Sequence, residues 1–478
     1  MVSETRTGSL TGLSDEAGLN KTHLRTVLVA GMGFFADAYD LFVIGIVSTL
    51  LKGQWHLDSE QLALLNAVML GAAFLGALVL GRVADLVGRT CLYPIIAVSM
   101  VVASLGSALA PSLGVLVGFR FLLGFGVGGN YPVSAVLMTE NANRRDRGKL
   151  VGLVFSTQAL GLIVGPLIAL ALLGGGAGEN LTWRLLLGLG AVPAALVIWL
   201  RRKLPESRPT ASRPTATRAA NGGGAVDGRA NDSAALKQVI GLKAFLTNRR
   251  FLVLLAGTAG CWFLLDYAYY GNTISTPQIV SLISPNASAT ATIAIQLAIF
   301  VVAALPGYAL AIARMDRIGH RKLQLLGFIM MGVCFALIGL VPGMTTAVAP
   351  FLIVYGVSYF FSEFGPNLTT FVLPGELFPG PVRATGHGIA AGTGKLGACI
   401  GVFLFPVLQN SLGLRGTLLL TGGISILGAL LTLVLPEPAG RSLAEVSGDT
   451  DVVAAAERVV RAAEEAPLPV QAPLPVQE

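Results

Sequence analysis

SRPTASRPTATRAANGGG, residues 207–224, breaks an otherwise apolar chain with small, polar and basic residues. Gly, Ala, Ser, Thr and Pro in this density read as a flexible, solvated loop. Between Arg201 and Arg250, both included, stand eleven Lys/Arg and three Asp/Glu. A membrane-spanning helix needs about 20 mostly apolar residues. Six such runs precede the break, near 26–51, 62–82, 91–110, 112–138, 150–173 and 183–201. Six more follow, near 251–282, 289–313, 323–341, 346–374, 385–409 and 416–435. The pattern predicts an all-α membrane protein with twelve transmembrane helices in two six-helix, pseudo-symmetric bundles.

Composition agrees. Of 478 residues, 54% are hydrophobic and 12% charged, and the mean hydropathy is +0.72. A soluble protein carries about 25% charged residues, so most of this surface has to face lipid. Cys91, Cys261, Cys334 and Cys399 lie in apolar runs without metal-like spacing; they read as small core residues. The first apolar run is too long for a signal-peptide core, so no cleaved signal is expected.

The net charge of +7 is distributed as a topology signal. The loops GRVADLVGRT (81–90), NANRRDRGK (141–149) and ARMDRIGHRK (313–322) are basic like the central break, and the alternate loops are almost free of Lys and Arg. Positive residues stay on the cytoplasmic side. Both termini and the break are therefore expected in the cytoplasm, in a multi-pass protein of the cell (plasma or inner) membrane; nucleic acid is not an expected partner. The expected domains are a cytoplasmic tail (1–22), a first bundle (23–203), a linker (204–248), a second bundle (249–436) and a cytoplasmic tail (437–478). The last thirteen residues, APLPVQAPLPVQE, repeat a Pro-rich hexapeptide and read as extended or disordered.

The halves echo each other. Asp85 and Arg89 follow the second run, and Asp316 and Arg321 follow the eighth. Glu140 precedes Arg147 by seven residues, as Glu376 precedes Arg383. Such pairs at helix ends can join across a cytoplasmic seam and meet the helix dipoles, which makes these eight residues candidate gate motifs. Together with LPESRP (204–209) and LPEPAGRSLAE (435–445), they resemble the major facilitator superfamily over roughly 23–445. The resemblance implies two bundles rocking about a site near the bilayer midplane.

An ionisable group at the bilayer centre costs at least about 2.5 kcal/mol. Asp37, Asp40, Arg120, Asp266, Glu363 and Lys395 are therefore functional candidates. Asn130, Tyr131, Gln158, Trp262, Tyr270 and Asn367 are neutral polar residues at similar depth. Trp262, Asp266 and Tyr270 are spaced i, i+4, i+8, so one helix face offers an indole donor, a carboxyl group and a phenol.

Five segments carry a closer resemblance: GMGFFADAYDLF (31–42), GGNYPVSAVLMTE (128–140), WFLLDYAYYG (262–271), FGPNLTTFVLPGELFP (364–379) and GHGIAAGTGKLGA (386–398). As a set they look like the phosphate:proton symporter family. The resemblance implies a phosphate cage of Tyr131, Gln158, Trp262, Asp266, Tyr270, Asn367 and Lys395. It implies proton movement and gating by Asp37, Asp40 and Arg120, with no cofactor or metal and a monomer in the bilayer. The chemistry fits independently. Dihydrogen phosphate is a monoanion with two O–H donors; Lys395 offers charge, and the neutral polar groups offer donors. Burial and a neighbouring anion favour the protonated form of a carboxyl group, so Asp266 could couple proton to anion. Sulfate, without an O–H at neutral pH, could not donate to that carboxylate.

Two positions depart from the family pattern: Asn130, where an Asp is usual, and Glu363, where a neutral residue is usual. Glu363 lies one turn before Asn367 and could replace the missing carboxylate, joining Asp37, Asp40, Arg120 and Asp266 as a proton-coupling candidate. It could equally face a wet cleft or pair with a base. His320 and His387, read as loop-proximal, receive no role. The residues leave open a proton-coupled symporter of another small anion or organic acid. No metal cluster, nucleophile elbow or phosphate-binding loop marks an enzyme.

Overall fold

The computed structural model describes residues 21–87, 89–141, 147–201, 247–379 and 382–447. The tail before residue 21, nearly all of the linker and the Pro-rich end lie outside them. So do the side chains of Asp85, Arg89, Asn130, Glu140 and Arg147.

The first half contains α1 (Lys21–Trp55), α2 (Ser59–Val87), α3 (Arg89–Ala108) and α4 (Leu113–Asn141). Its fifth and sixth apolar runs are each a broken pair, α5 (Arg147–Ser156) with α6 (Gln158–Gly174), and α7 (Glu179–Leu189) with α8 (Ala191–Arg201). The second half opens with α9 (Arg249–Ile283). There follow α10 (Ala289–Ile299), a wide π turn at Phe300–Ala304, α11 (Leu305–Ile318) and α12 (His320–Leu340). Then come α13 (Val348–Phe364), α14 (Pro366–Leu377), α15 (Arg383–Thr432) and α16 (Leu443–Ser447). Within α15, Gly413 has φ of 67° and separates the eleventh and twelfth runs; a residue with a Cβ adopts that conformation only under strain. All twelve apolar runs thus lie on helices. Among the described residues, nine helical stretches are long and apolar enough to cross a membrane. Their outer faces expose Val192, Val302, Ile353 and Leu430, the surface a lipid solvent requires.

Local chemistry sets the helix starts. Asp58 and Gln61 exchange side-chain-to-backbone bonds of 2.8 and 3.2 Å ahead of α2. Ser442 and Glu445 do the same ahead of α16. Both are capping boxes that satisfy amides the first turn leaves open. Asn248 accepts from the Arg250 amide at 2.9 Å to start α9.

The halves meet where α2 lies along α15, α6 along α10, and α1 along α9. Within the second half, α9 and α15 approach closely because Gly397 and Gly401 place no side chain against the Phe263 and Tyr267 carbonyls. That approach brings Asp266 and Lys395 within reach of each other. The segment after the twelfth run returns to the second half. Both oxygens of Glu437 accept from the first amides of α12, His320 at 2.8 Å and Arg321 at 3.1 Å, and Val446 and Ser447 are buried. The capping box in LPEPAGRSLAE folds this stretch back onto the second half.

Candidate functional site

The stripe on α9 faces inward, as its spacing predicts. Trp262, Asp266 and Tyr270 are all buried. Lys395, on α15, donates to Asp266 Oδ2 at 2.9 Å and to the Tyr270 hydroxyl at 3.0 Å. Its Nζ also lies 4.9 Å from the centre of the Tyr131 ring. The Trp262 indole lies against the same carboxyl group. Asp37 is within electrostatic reach of Lys395, Tyr131 and Tyr270. Aromatic rings wall the cluster: Phe42 stacks on Tyr270 with centroids 5.3 Å apart, and Phe34 meets Tyr131 edge-on.

Gln158 and Asn367, expected in the same cage, belong to a second cluster. Their amide nitrogens donate to one acceptor, the Tyr308 hydroxyl, at 2.5 and 2.7 Å. Asn367 also donates to Glu363 Oε2. The hydroxyls of Tyr269 and Tyr308 lie against the Glu363 carboxyl. Buried donors are paired with acceptors: Lys395 takes Asp266, and the two amides take Tyr308. The break at Gly365, between Glu363 and Asn367, brings this cluster to the interface, where Gln158 joins it from the first half. None of the seven expected cage residues is more than 3% exposed.

Asp37 and Asp40, expected to share one face, serve different surroundings. Residues three apart are about 60° apart around a helix, enough to divide them. Asp37 turns to the Lys395 cluster. Asp40 packs against Gly190, and its backbone carbonyl accepts from Arg120 at 2.8 Å. Arg120 itself is buried.

His320 is the first residue of α12 and His387 lies one turn inside α15, both buried. His387 is buried in the eleventh run, 5.5 Å edge-on from Trp262, with Nε2 3.1 Å from the Phe371 carbonyl. His320 bridges Glu376 at 2.9 Å and Asp316 at 3.2 Å. Asp316 in turn accepts the Lys149 amide from the other half at 2.9 Å. Of the other gate candidates, Arg321 donates to the Leu433 carbonyl at 2.8 Å and Arg383 to that of Phe378 at 3.0 Å. This seam closes the end that carries the basic loops. At the opposite end Gly45 abuts Ile274, and Asn410 donates to Ser59 at 3.0 Å. Contacts between the halves thus stand at both ends of the polar centre.

Sequence reasoning missed Tyr308, Tyr269 and His320. A tyrosine in an apolar run carries no sign of its partners, whereas His320 had one, its position inside the repeated turn motif. Tyr308→Phe leaves the Gln158 amide without this acceptor and Asn367 with Glu363 alone. The expected cost is about 1–3 kcal/mol, read as a lower unfolding midpoint in detergent; an unchanged midpoint would refute the bridge.

Paired six-helix sets around a buried polar centre define a membrane carrier of the major facilitator fold. Solved structures share that fold. The proton:xylose symporter XylE bound to 6-bromo-6-deoxy-D-glucose superposes with TM-score 0.70 at 19% identity, over 89% of this chain and 98% of that one. A partially occluded, inward-open form of XylE from E. coli gives 0.68 at 21% identity, over 88% and 100%. The sugar (and other) transporter family model matches residues 26–449. Probable inorganic phosphate transporter 1-6 of Arabidopsis thaliana is 34% identical over 511 aligned residues, 95% of this chain and 99% of that protein. Inorganic phosphate transporter 1-6 of Oryza sativa subsp. japonica is 35% identical, over 94% and 95%. The chain belongs to the sugar (and other) transporter family.

Proposed function

We propose that this protein imports inorganic phosphate with protons by alternating access, as a monomer in the plasma or inner membrane. Its termini and basic loops lie on the cytoplasmic side. The names of its relatives support the substrate, and the charge of the basic loops supports the orientation. The observation that carries the mechanism is the sealed contact of Lys395 with Asp266 and Tyr270.

A carboxylate and a phosphate compete for that ammonium group. While Asp266 is ionised it holds Lys395, and an entering anion meets a like charge. A proton on Asp266 ends the ion pair and frees Lys395 for dihydrogen phosphate. Tyr131, Tyr270 and Trp262 stand ready as further donors, and the protonated carboxyl group can itself hydrogen-bond the anion. Loss of the proton on the inner side restores the ion pair and expels the anion. Each state satisfies the buried lysine, so neither leaves an uncompensated charge in the membrane. The outer acid thus drives the carrier in one direction.

The test is uptake of labelled phosphate into proteoliposomes under an acid-outside pH gradient. Accumulation should vanish when the gradient is collapsed. Unlabelled arsenate should compete, and organic acids should not. Strong competition by an organic acid, or uptake indifferent to the gradient, would overturn the reading.

A further inference from the structure

Glu363 is fully buried on the last turn of α13, and no basic side chain among the described residues pairs with it. The groups that face it are Asn367 from α14, Tyr308 from α11 and Tyr269 from α9. Tyr359 on its own helix and Tyr270 on α9 stand within electrostatic reach, and behind Tyr270 lie Lys395, Asp266 and Asp37. From the first half the contribution is neutral: Gln158, by way of Tyr308. A buried carboxylate without a base is costly, so this is a place to exchange a proton rather than to keep a charge. Its second oxygen, Oε1, has no hydrogen-bond partner.

The hydrogen-bond inventory shows what such a proton does. The Tyr308 oxygen accepts from both Gln158 and Asn367, so its own O–H must donate elsewhere, and the Glu363 carboxyl lies against it. An ionised carboxylate only accepts; a protonated one carries a donor of its own. Ionised Glu363 therefore anchors Tyr308 and Asn367, and through Tyr308 it anchors Gln158 across the interface. Protonation turns that charged acceptor into a neutral group with a donor of its own, which weakens the anchor.

We propose that Glu363 is a second proton carrier, whose protonation releases Gln158 and Asn367 to the substrate as protonation of Asp266 releases Lys395. Two carboxyl groups then hold two halves of one set of donors, and both must be neutralised before the set can close on an anion. This inference rests on the phosphate reading above. It has a consequence in charge. One dihydrogen phosphate with two carried protons moves one net positive charge inward, whereas with Asp266 alone the cycle is electroneutral.

The experiment measures protons and charge per phosphate in proteoliposomes, with membrane potential and pH gradient imposed separately. The full-length protein is expected to move two protons and one net charge per phosphate. Glu363→Gln should drop to one proton and lose its response to an inside-negative potential, while its response to the pH gradient remains. This ratio does not depend on how much turnover survives. Glu363→Asp keeps the acid and should move the charge that Glu363→Gln loses. Phosphate transport with one proton by the unaltered protein overturns the proposal. So does a Glu363→Gln protein that still moves two. An unaltered protein that moves no phosphate refutes the transport reading instead, a separate result.

Discussion

Asp266→Asn should separate phosphate binding from the proton gradient. Asparagine keeps the shape of the carboxyl group but cannot take up or lose a proton, so Lys395, now 2.9 Å from Asp266, no longer has a competitor for the anion. Binding should persist and keep only the pH dependence that Glu363 confers. A charge-assisted contact of this kind contributes about 3 kcal/mol, and removing that driving difference should slow net uptake roughly a hundredfold. Lys395→Gln acts oppositely, leaving the Asp266 carboxylate buried without its base. Removing one partner of a buried pair costs about 3–5 kcal/mol, so this variant should unfold at a markedly lower temperature and bind phosphate poorly. The double variant Asp266→Asn/Lys395→Gln should regain most of the lost stability and none of the transport. Unfolding midpoints and uptake on the three proteins check the set. A stable Lys395→Gln protein with normal uptake would remove the ion pair from the mechanism.

Gly397→Val and Gly401→Val should disable the carrier without touching a polar residue. Any Cβ at these positions runs into the backbone carbonyls of Phe263 and Tyr267, and a backbone cannot swing aside as a side chain tip can. The helices must separate, and the contact between Lys395 and Asp266 goes with them. Forcing extra carbons into a filled contact costs about 1–3 kcal/mol. Uptake should fall further than that figure alone implies, because the site depends on the spacing of these two helices. Gly423 is the comparison. It is also helical, but nothing stands within 4 Å of its missing Cβ, so Gly423→Ala should change stability by less than about 0.5 kcal/mol. Equal behaviour of Gly397→Val and Gly423→Ala, in uptake and in unfolding, would refute the close-approach account.

Most of the fold was legible because a membrane leaves few options. Backbone groups in lipid must bond within their own helix, so each crossing announces itself as a long apolar run. The site was legible where its logic lay on one helix, as with Trp262, Asp266 and Tyr270, whose four-residue spacing puts them on one face. The partner of Asp266 sits 129 residues away, and only the family resemblance brought Lys395 to it. Where partners come from several helices, spacing is silent. Gln158 and Asn367 meet on Tyr308, a residue indistinguishable in sequence from a tyrosine that packs or anchors at an interface. Asp37 and Asp40 look like one pair on a helical wheel, yet their neighbours divide them.

The grip of Glu437 on the first amides of α12 extends beyond that turn. The same returning segment reaches the start of α9, where Arg250 meets the Val446 carbonyl at 3.5 Å. One short stretch therefore ties the exit of the last crossing to the entrances of the seventh and ninth. A rim stapled in this way converts the tilt of one helix into torque on its neighbours, and little of the stroke is lost as bending.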